Sequence, residues 1–348
     1  MPAFPIKSSS DLVQLFLFFL PRARRIAIYR WKRGRKQFKK LSRADYVIVS
    51  CPKAGRTWLR VMISRFYSEK YQLTDVELLG FDNFHKLNPA IPRILSTHDN
   101  YIQDFTGHRD DKRDFKNRKV LLLVRDPRDV VVSQFFQWKY RARPVKKALL
   151  SSLEDSPDVG VFEFATHPDH GIPRNMDFLR GWRDGLQQVD DHLIVRYEDL
   201  RANTATELER VLRFFGAECS REQIEGAVSF AAFDSMRARE QQRSDGTVRH
   251  SLVAGDRENP DSYKTRRAKI GGFVDYFDDQ QIATINGLLD PDLLKFFGYS
   301  IEEQDARKTV PEVTSRLSAD LWSPRSTDAP GRVKPTSPGP QRGKQAVT

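Results

Sequence analysis

Tyr46-Val-Ile-Val-Ser-Cys-Pro-Lys-Ala-Gly-Arg-Thr-Trp-Leu-Arg60 is a short apolar run that breaks at a Pro/Gly loop and continues as a helical pattern. Val47, Ile48 and Val49 are β-branched and flanked by turn residues, so they read as a strand. Leu59, Met62, Ile63 and Phe66 fall at helical spacing, so a helix begins just after the loop. A loop at a helix N-terminus gathers unpaired backbone N–H groups and the positive end of the helix dipole, which favours a phosphate before any side chain acts. Lys53, Arg56 and Thr57 add a point charge, a fork of donors and a hydroxyl in the same small volume. The chemistry implied is anion capture. In the nucleotide-triphosphate loop G-x-x-x-x-G-K-[ST] the lysine follows the second glycine, whereas here Lys53 precedes the only glycine, Gly55.

Two further segments carry strand-then-loop signals. Lys119-Val-Leu-Leu-Leu-Val-Arg-Asp-Pro127 opens with a continuous apolar run, as expected of a strand buried on both faces of a parallel sheet. Pro127 marks the start of a helix holding Val130, Val131 and Phe135. Arg125 stands at the strand end and Ser133 eight residues later, a guanidinium and a short hydroxyl donor suited to a phosphate dianion, unless Arg125 serves only in a strand-end ion pair with Asp126 or Asp129. Between the two segments, Ile91-Pro-Arg-Ile-Leu-Ser-Thr-His98 puts a histidine at a third strand end. Ligands of open parallel α/β sheets collect at the carboxyl ends of the strands, so Lys53, His98 and Arg125 are expected to converge on one crevice.

Cys51-Pro-Lys-Ala-Gly-Arg-Thr-Trp58 resembles the 5′-phosphosulfate loop of the sulfotransferase family, usually Pro-Lys-Ser-Gly-Thr-Thr-Trp. Arg125 and Ser133 match that family's 3′-phosphate pair, and Asp261 to Phe277 resembles its late Arg-Lys-Gly-x-x-Gly-Asp-Trp-Lys loop, with Arg266, Arg267 and Ala268 at the first three positions. The resemblance covers roughly residues 45 to 300. It implies a P-loop-like α/β fold, a parallel sheet flanked by helices on both faces in a single catalytic domain. It also implies 3′-phosphoadenosine 5′-phosphosulfate (PAPS) as sulfuryl donor and no metal. By the same resemblance His98 is the base and Lys53 steadies the leaving phosphate oxygen. Ala54, Gly55, Arg56 and Thr57 complete the 5′ loop. Trp58, Tyr197 and Phe233 contact the adenine, Phe233 through the match of Ala232-Phe-Asp-Ser-Met236 to Ser-Phe-x-x-Met. Three departures stand out. Ser96 replaces the lysine two residues before the histidine, so that charge is either missing or comes from elsewhere, with Arg56 a candidate. Ala268 replaces a glycine, and Gly272-Phe-Val replaces Asp-Trp-Lys.

The acceptor implied is a hydroxyl on a glycan, lipid or small molecule, with residues from about Gln137 to Arg174 as its pocket and lid. Two alternatives compete: a P-loop-like phosphotransferase, disfavoured by the missing Walker lysine, and a non-catalytic membrane-surface protein. Two cysteines are too few for a disulfide framework and fit a reducing, cytoplasmic setting.

The net charge of +12 belongs to the ends. Residues 1–43 carry +11 and residues 306–348 carry +5, leaving the body at −4. The expected organisation is a basic, partly apolar segment over 1–43, a catalytic domain over 44–303 and a disordered tail over 304–348. Leu12 to Leu20 is too short to span a bilayer, which needs about 20 apolar residues, and the arginines follow it rather than precede it as in a signal peptide. Residues 7–43 therefore read either as a peripheral contact with an anionic membrane or as a segment packed on the domain. No motif supports nucleic-acid binding, and nothing in the sequence sets the oligomeric state.

Overall fold

The computed structural model describes residues 20–74, 78–109, 111–142, 158–242 and 255–301. Helix α1 (Arg22–Leu41) precedes strand β1 (Tyr46–Ser50) and helix α2 (Arg56–Lys70). Strand β2 (Ile94–Thr97) leads to the short helix α3 (Asn100–Thr106), and β3 (Lys119–Val124) to α4 (Pro127–Arg141). After α5 (Ile172–Gly185) come β4 (Asp191–Arg196) and the helices α6 (Tyr197–Ala202), α7 (Thr204–Phe214), α8 (Arg221–Phe230) and α9 (Phe233–Gln242). The four strands form one parallel sheet in the order β2-β1-β3-β4, with Tyr46 opposite both Ile94 and Lys119, and Val124 opposite Arg196.

The apolar runs behave as strands covered on both faces should. Val47, Val49, Val120, Leu122 and Val124 point into one core layer with Val131 and Phe135 of α4 and Leu179 and Trp182 of α5. Ile48, Leu121, Leu123 and Val195 point into the other with Leu59, Met62 and Phe66 of α2 and Leu208 and Val211 of α7. Alternate residues of one strand thus feed two layers, which is the α/β arrangement with helices on both faces. The chain leaves β1 toward β2 and leaves β3 toward β4, so the loops after β1 and β3 diverge and open a crevice between them.

Helix α1 packs one face on α3. Gly34 lies against the Tyr101 carbonyl and Phe105, where a Cβ would collide. Trp31 and Phe38 pack on the Phe105 ring with centroids at 5.4 and 5.5 Å, and Arg30 pairs with Asp104 at 2.8 Å. Arg22, Arg24, Arg25, Lys32, Arg35 and Lys36 stay exposed on the other side, with Tyr29. The apolar run Leu12 to Leu20 falls almost wholly within residues 1–19, outside the described residues. The tail from 304 lies there as well, with residues 143–157 of the stretch expected as the acceptor pocket and lid.

Candidate active site

The loop after β1 has a tight backbone. Lys53 and Gly55 take left-handed conformations, φ 74° and 93°, and Gly55 is the residue from which α2 starts. Such a φ costs a lysine about 1–2 kcal/mol, while glycine adopts it freely. A Cβ on Gly55 would run into the Tyr197 ring, so the loop and the start of α6 are fitted to each other. The first turn of α2 has no capping side chain and no acidic residue. Its amides are therefore available to an anion.

Behind the loop, Cys51 Sγ donates to Asn175 Oδ1 at 2.9 Å, and Gln134 Nε2 donates to the Pro52 carbonyl at 3.2 Å and to Asn175 Oδ1 at 3.0 Å. Burial pushes the Cys51 thiol up to about 12, so this cysteine is an inert part of the wall. Ala54 is fully buried beneath the loop.

His98 follows β2 directly. Its Nδ1 lies 2.6 Å from the Ser50 carbonyl, which can only accept, so Nδ1 carries the proton and the neutral ring keeps its lone pair at Nε2. Arg56 Nη2 lies 2.8 Å from that Nε2, and Arg56 Nη1 donates to the Thr97 carbonyl. The strand end is held in turn by Thr97 Oγ1, which donates to Gln37 of α1 at 2.9 Å and accepts from the Asp99 amide at 2.9 Å. Asp99 and Lys112 form a buried ion pair at 2.9 Å.

Arg125 ends β3. Its Nη2 pairs with Asp129 at 3.2 Å and donates to the Lys269 carbonyl at 3.2 Å, and the guanidinium lies 4.2 Å from the Tyr197 ring centroid. Burial works against its charge, but Asp129 and Tyr197 outweigh it and hold the guanidinium above its usual pKa. Asp126 pairs with Arg128 instead and caps α4 by accepting from the Arg128 amide.

The late loop is pinned by two carboxylates. Asp129 accepts from the amides of Gly271 at 2.9 Å and Phe273 at 3.1 Å. Glu240, fully buried on α9, accepts from the amides of Lys264 (2.6 Å) and Thr265 (2.9 Å), from Thr265 Oγ1 (2.8 Å) and from Arg141 (2.9 Å). These bonds overcome the effect of burial and hold the Glu240 carboxyl below the usual range. Arg266 lies 3.9 Å from the Phe136 ring and bonds the Tyr276 hydroxyl; Arg267 pairs with Asp275 at 2.5 Å. Ala268 has φ 51°, the left-handed conformation that a glycine would take without strain.

These elements enclose one cleft of ≈ 280 Å³. Lys53, Gly55, Arg56, Thr57 and Trp58 line it from the first loop and α2, His98 from β2, and Arg125 and Ser133 from β3 and α4. Tyr197, Phe233, Arg266, Arg267 and Ala268 close it. Of the residues singled out from sequence only Ala54 lies behind the lining. Burial, and then the charges of Arg141 and Arg125, pull the Lys53 pKa down to about 7.

Sequence reasoning passed over Lys264, which lines the cleft and whose pKa is driven well below normal by burial and by Lys53 and Arg141. Its only sequence signal was its place two residues before the Arg266–Arg267 pair. Glu240 gave none, since its role is set by residues distant in the chain; Asp129 was a candidate ion-pair partner of Arg125, but its hold on the Gly271 and Phe273 amides was not legible. Among the described residues no group of three or more His, Cys, Asp and Glu side chains could hold a metal ion, and no helix is long and apolar enough to cross a membrane.

Residues 43–297 match the family model described as the sulfotransferase domain. Cytosolic sulfotransferase 15 of Arabidopsis thaliana is 23% identical over 289 residues, covering 74% of each chain. Sulfotransferase 6B1 of Pan troglodytes is 28% identical over 211 residues, 57% of this chain and 63% of its own. The crystal structure of mouse sulfotransferase SULT7A1 complexed with PAP superposes with a TM-score of 0.47 at 17% identity, covering 78% of this chain and 93% of that one.

Proposed function

The chain belongs to the sulfotransferase family, and we propose that its cleft carries out sulfuryl transfer from PAPS to an acceptor hydroxyl with His98 as base. When bound, PAPS supplies a sulfuryl group on a good phosphate leaving group. The residues fit such a ligand. The first turn of α2 has neither a capping side chain nor an acidic residue, and the buried Nε of Arg125 has no hydrogen-bond partner among the described residues.

The α2 amides, Thr57 and Lys53 bind the 5′-phosphate end, and Lys53 is placed to neutralise charge growing on the leaving oxygen. Arg125 and Ser133 take the 3′-phosphate, joined by Arg266 and Arg267. Trp58, Phe233 and Tyr197 hold the adenine; Trp58 is steadied by its Nε1 donating to the Ala231 carbonyl at 2.8 Å. His98 accepts the acceptor's proton at Nε2. The observation that carries the reading is the fixed tautomer: Nδ1–H is committed to Ser50, so Nε2 is the basic nitrogen in the cleft shared with Lys53 and Arg125. Calorimetry with adenosine 3′,5′-bisphosphate (PAP) and with ADP tests it. PAP is expected to bind at least tenfold tighter, because one good charge-assisted contact to the 3′-phosphate is worth about 1.5–3 kcal/mol. Equal or tighter ADP binding would refute the reading.

For partners, the exposed face of α1 supports a peripheral contact with an anionic membrane, through residues 7–43 and on the cytoplasmic side. Six exposed Arg and Lys side chains with Tyr29 on one helix face suit an interfacial position, each cation contributing about 1 kcal/mol near an anionic leaflet. A glycan, lipid or small-molecule hydroxyl all suit the chemistry, and a lipid acceptor would fit this contact. Co-sedimentation with phosphatidylserine vesicles, lost on replacing Arg22, Arg24 and Arg25 by glutamate, is the expected result; unchanged binding or none in the parent would refute the contact.

A further inference from the structure

Three guanidiniums of the cleft have a carboxylate of their own: Arg125 has Asp129, Arg266 has Asp261 and Arg267 has Asp275. Arg56 pairs with none among the described residues. Its hydrogen bonds go to two neutral acceptors, the Thr97 carbonyl and His98 Nε2. Burial, with the charge of Arg60, pulls its pKa down to about 9. A buried cation bonded to neutral acceptors gains more from an arriving anion than one already neutralised by a carboxylate. Strand β2, Ile94-Leu-Ser-Thr97, brings no cation to His98, so the charge beside the base reaches it from α2. That cation also sits on the nitrogen that must accept the proton. While Arg56 donates to Nε2, an acceptor hydroxyl cannot.

We propose that Arg56 is a further catalytic residue that caps His98 and turns to the sulfonate oxygens of the donor when it binds, exposing the base. The inference rests on the sulfotransferase reading above. In the transfer step the acceptor O–H proton passes to His98 Nε2 while the acceptor oxygen forms the new O–S bond. The S–O bond to the 5′-phosphate breaks, and its electron pair stays on the phosphate oxygen beside Lys53. Arg56 spreads its donors over the non-bridging sulfuryl oxygens as the bond order shifts. The two roles use one side chain in sequence, and donor binding becomes the condition for a working base.

The test uses the full chain with Arg56→Met and Arg56→Lys. PAPS and PAP are titrated separately by calorimetry without acceptor, and ³⁵S transfer is then measured. PAP lacks the sulfonate, so its affinity is expected to stay within about threefold in both variants, which also shows that they are folded. The ratio of PAPS to PAP affinity is expected to fall at least about fivefold in Arg56→Met, and kcat by about 10²- to 10³-fold as for loss of one donor to developing charge. Arg56→Lys, which keeps the charge without the fork, is expected to recover part of both. An unchanged PAPS-to-PAP ratio in Arg56→Met overturns the inference and leaves the sulfotransferase reading intact. Equal losses of PAPS and PAP affinity also overturn it, by assigning Arg56 to the 5′-phosphate or to the fold. A parent chain that prefers ADP to PAP fails in a different place, at the functional reading itself.

Discussion

The cleft has two basic walls made in different ways. The loop from Cys51 to Trp58 is continuous with β1 and α2, so its shape comes from neighbours in the chain: two left-handed residues, a helix start and no capping side chain. The wall from Lys264 to Phe273 has no α-helix or strand of its own, and two buried carboxylates, Asp129 from α4 and Glu240 from α9, hold its amides. One wall is folded by local sequence and the other by side chains that arrive from elsewhere. The difference suggests that damage to the first wall is felt in chemistry, and damage to the second in both stability and nucleotide affinity.

The sharpest way to break that contrast is Asp129→Ala. It removes the partner of a buried arginine and two amide acceptors at once, and losing one member of a buried pair costs about 3–5 kcal/mol. Thermal and urea unfolding are expected to show a loss of that order, with PAP affinity falling as well. Stability within about 1 kcal/mol of the parent would mean that the late loop does not depend on Asp129. Lys53→Met acts on the other wall. It is expected to lower kcat by about 10²- to 10³-fold with unfolding little changed, measured by ³⁵S transfer beside a melting curve.

The contrast can be sharpened by pH. The Lys53 ammonium loses its proton near pH 7, because burial and the neighbouring arginines lower its pKa to about 7. A bound phosphate favours the charged form, so PAP binding takes up a proton above that pH. Its affinity is expected to fall as pH rises above about 7, by up to tenfold per unit. In Lys53→Met the slope should shrink. What remains would belong to Lys264, whose pKa is also depressed, by burial and then by the charge of Lys53. The same shift gives a stability effect of opposite direction. A lysine whose folded pKa lies below its unfolded value favours the folded state more as pH rises between the two values.

The smallest expected effect is on the second wall. Ala268 holds φ 51°, and Ala268→Gly removes a left-handed strain of about 1–2 kcal/mol while adding unfolded-state entropy of about 0.4–1 kcal/mol. A net gain of between about 0 and 1.6 kcal/mol in urea unfolding is expected.

The same contrast explains what could be read from sequence. The strand, loop and helix around Lys53, the strand ending at Arg125 and the histidine after β2 are all local patterns, and the parallel sheet follows from their apolar runs. The two layers of helices follow from the alternation of Val47, Ile48 and Val49 between cores. Arg125 could be read either as a strand-end ion pair or as a cleft residue, and it is both. Lys264 and Glu240 were not legible as a site, and for Arg56 the sequence offered a candidate charge near His98 but not the contact itself. Their meaning depends on residues up to 42 positions away in one case and on a loop fixed by two helices in the other. Helix α1 presents both halves of the choice left open by its sequence. One face packs on α3 around Gly34, while the other stays basic and exposed.

The most direct test of the central claim is ³⁵S transfer from PAPS by the parent chain and by His98→Asn, with PAP binding measured on both. The account predicts turnover in the parent and a loss of about 10²- to 10⁴-fold in the variant, with PAP affinity nearly unchanged. Equal turnover in the two would contradict it, because the proton would then leave the acceptor without His98.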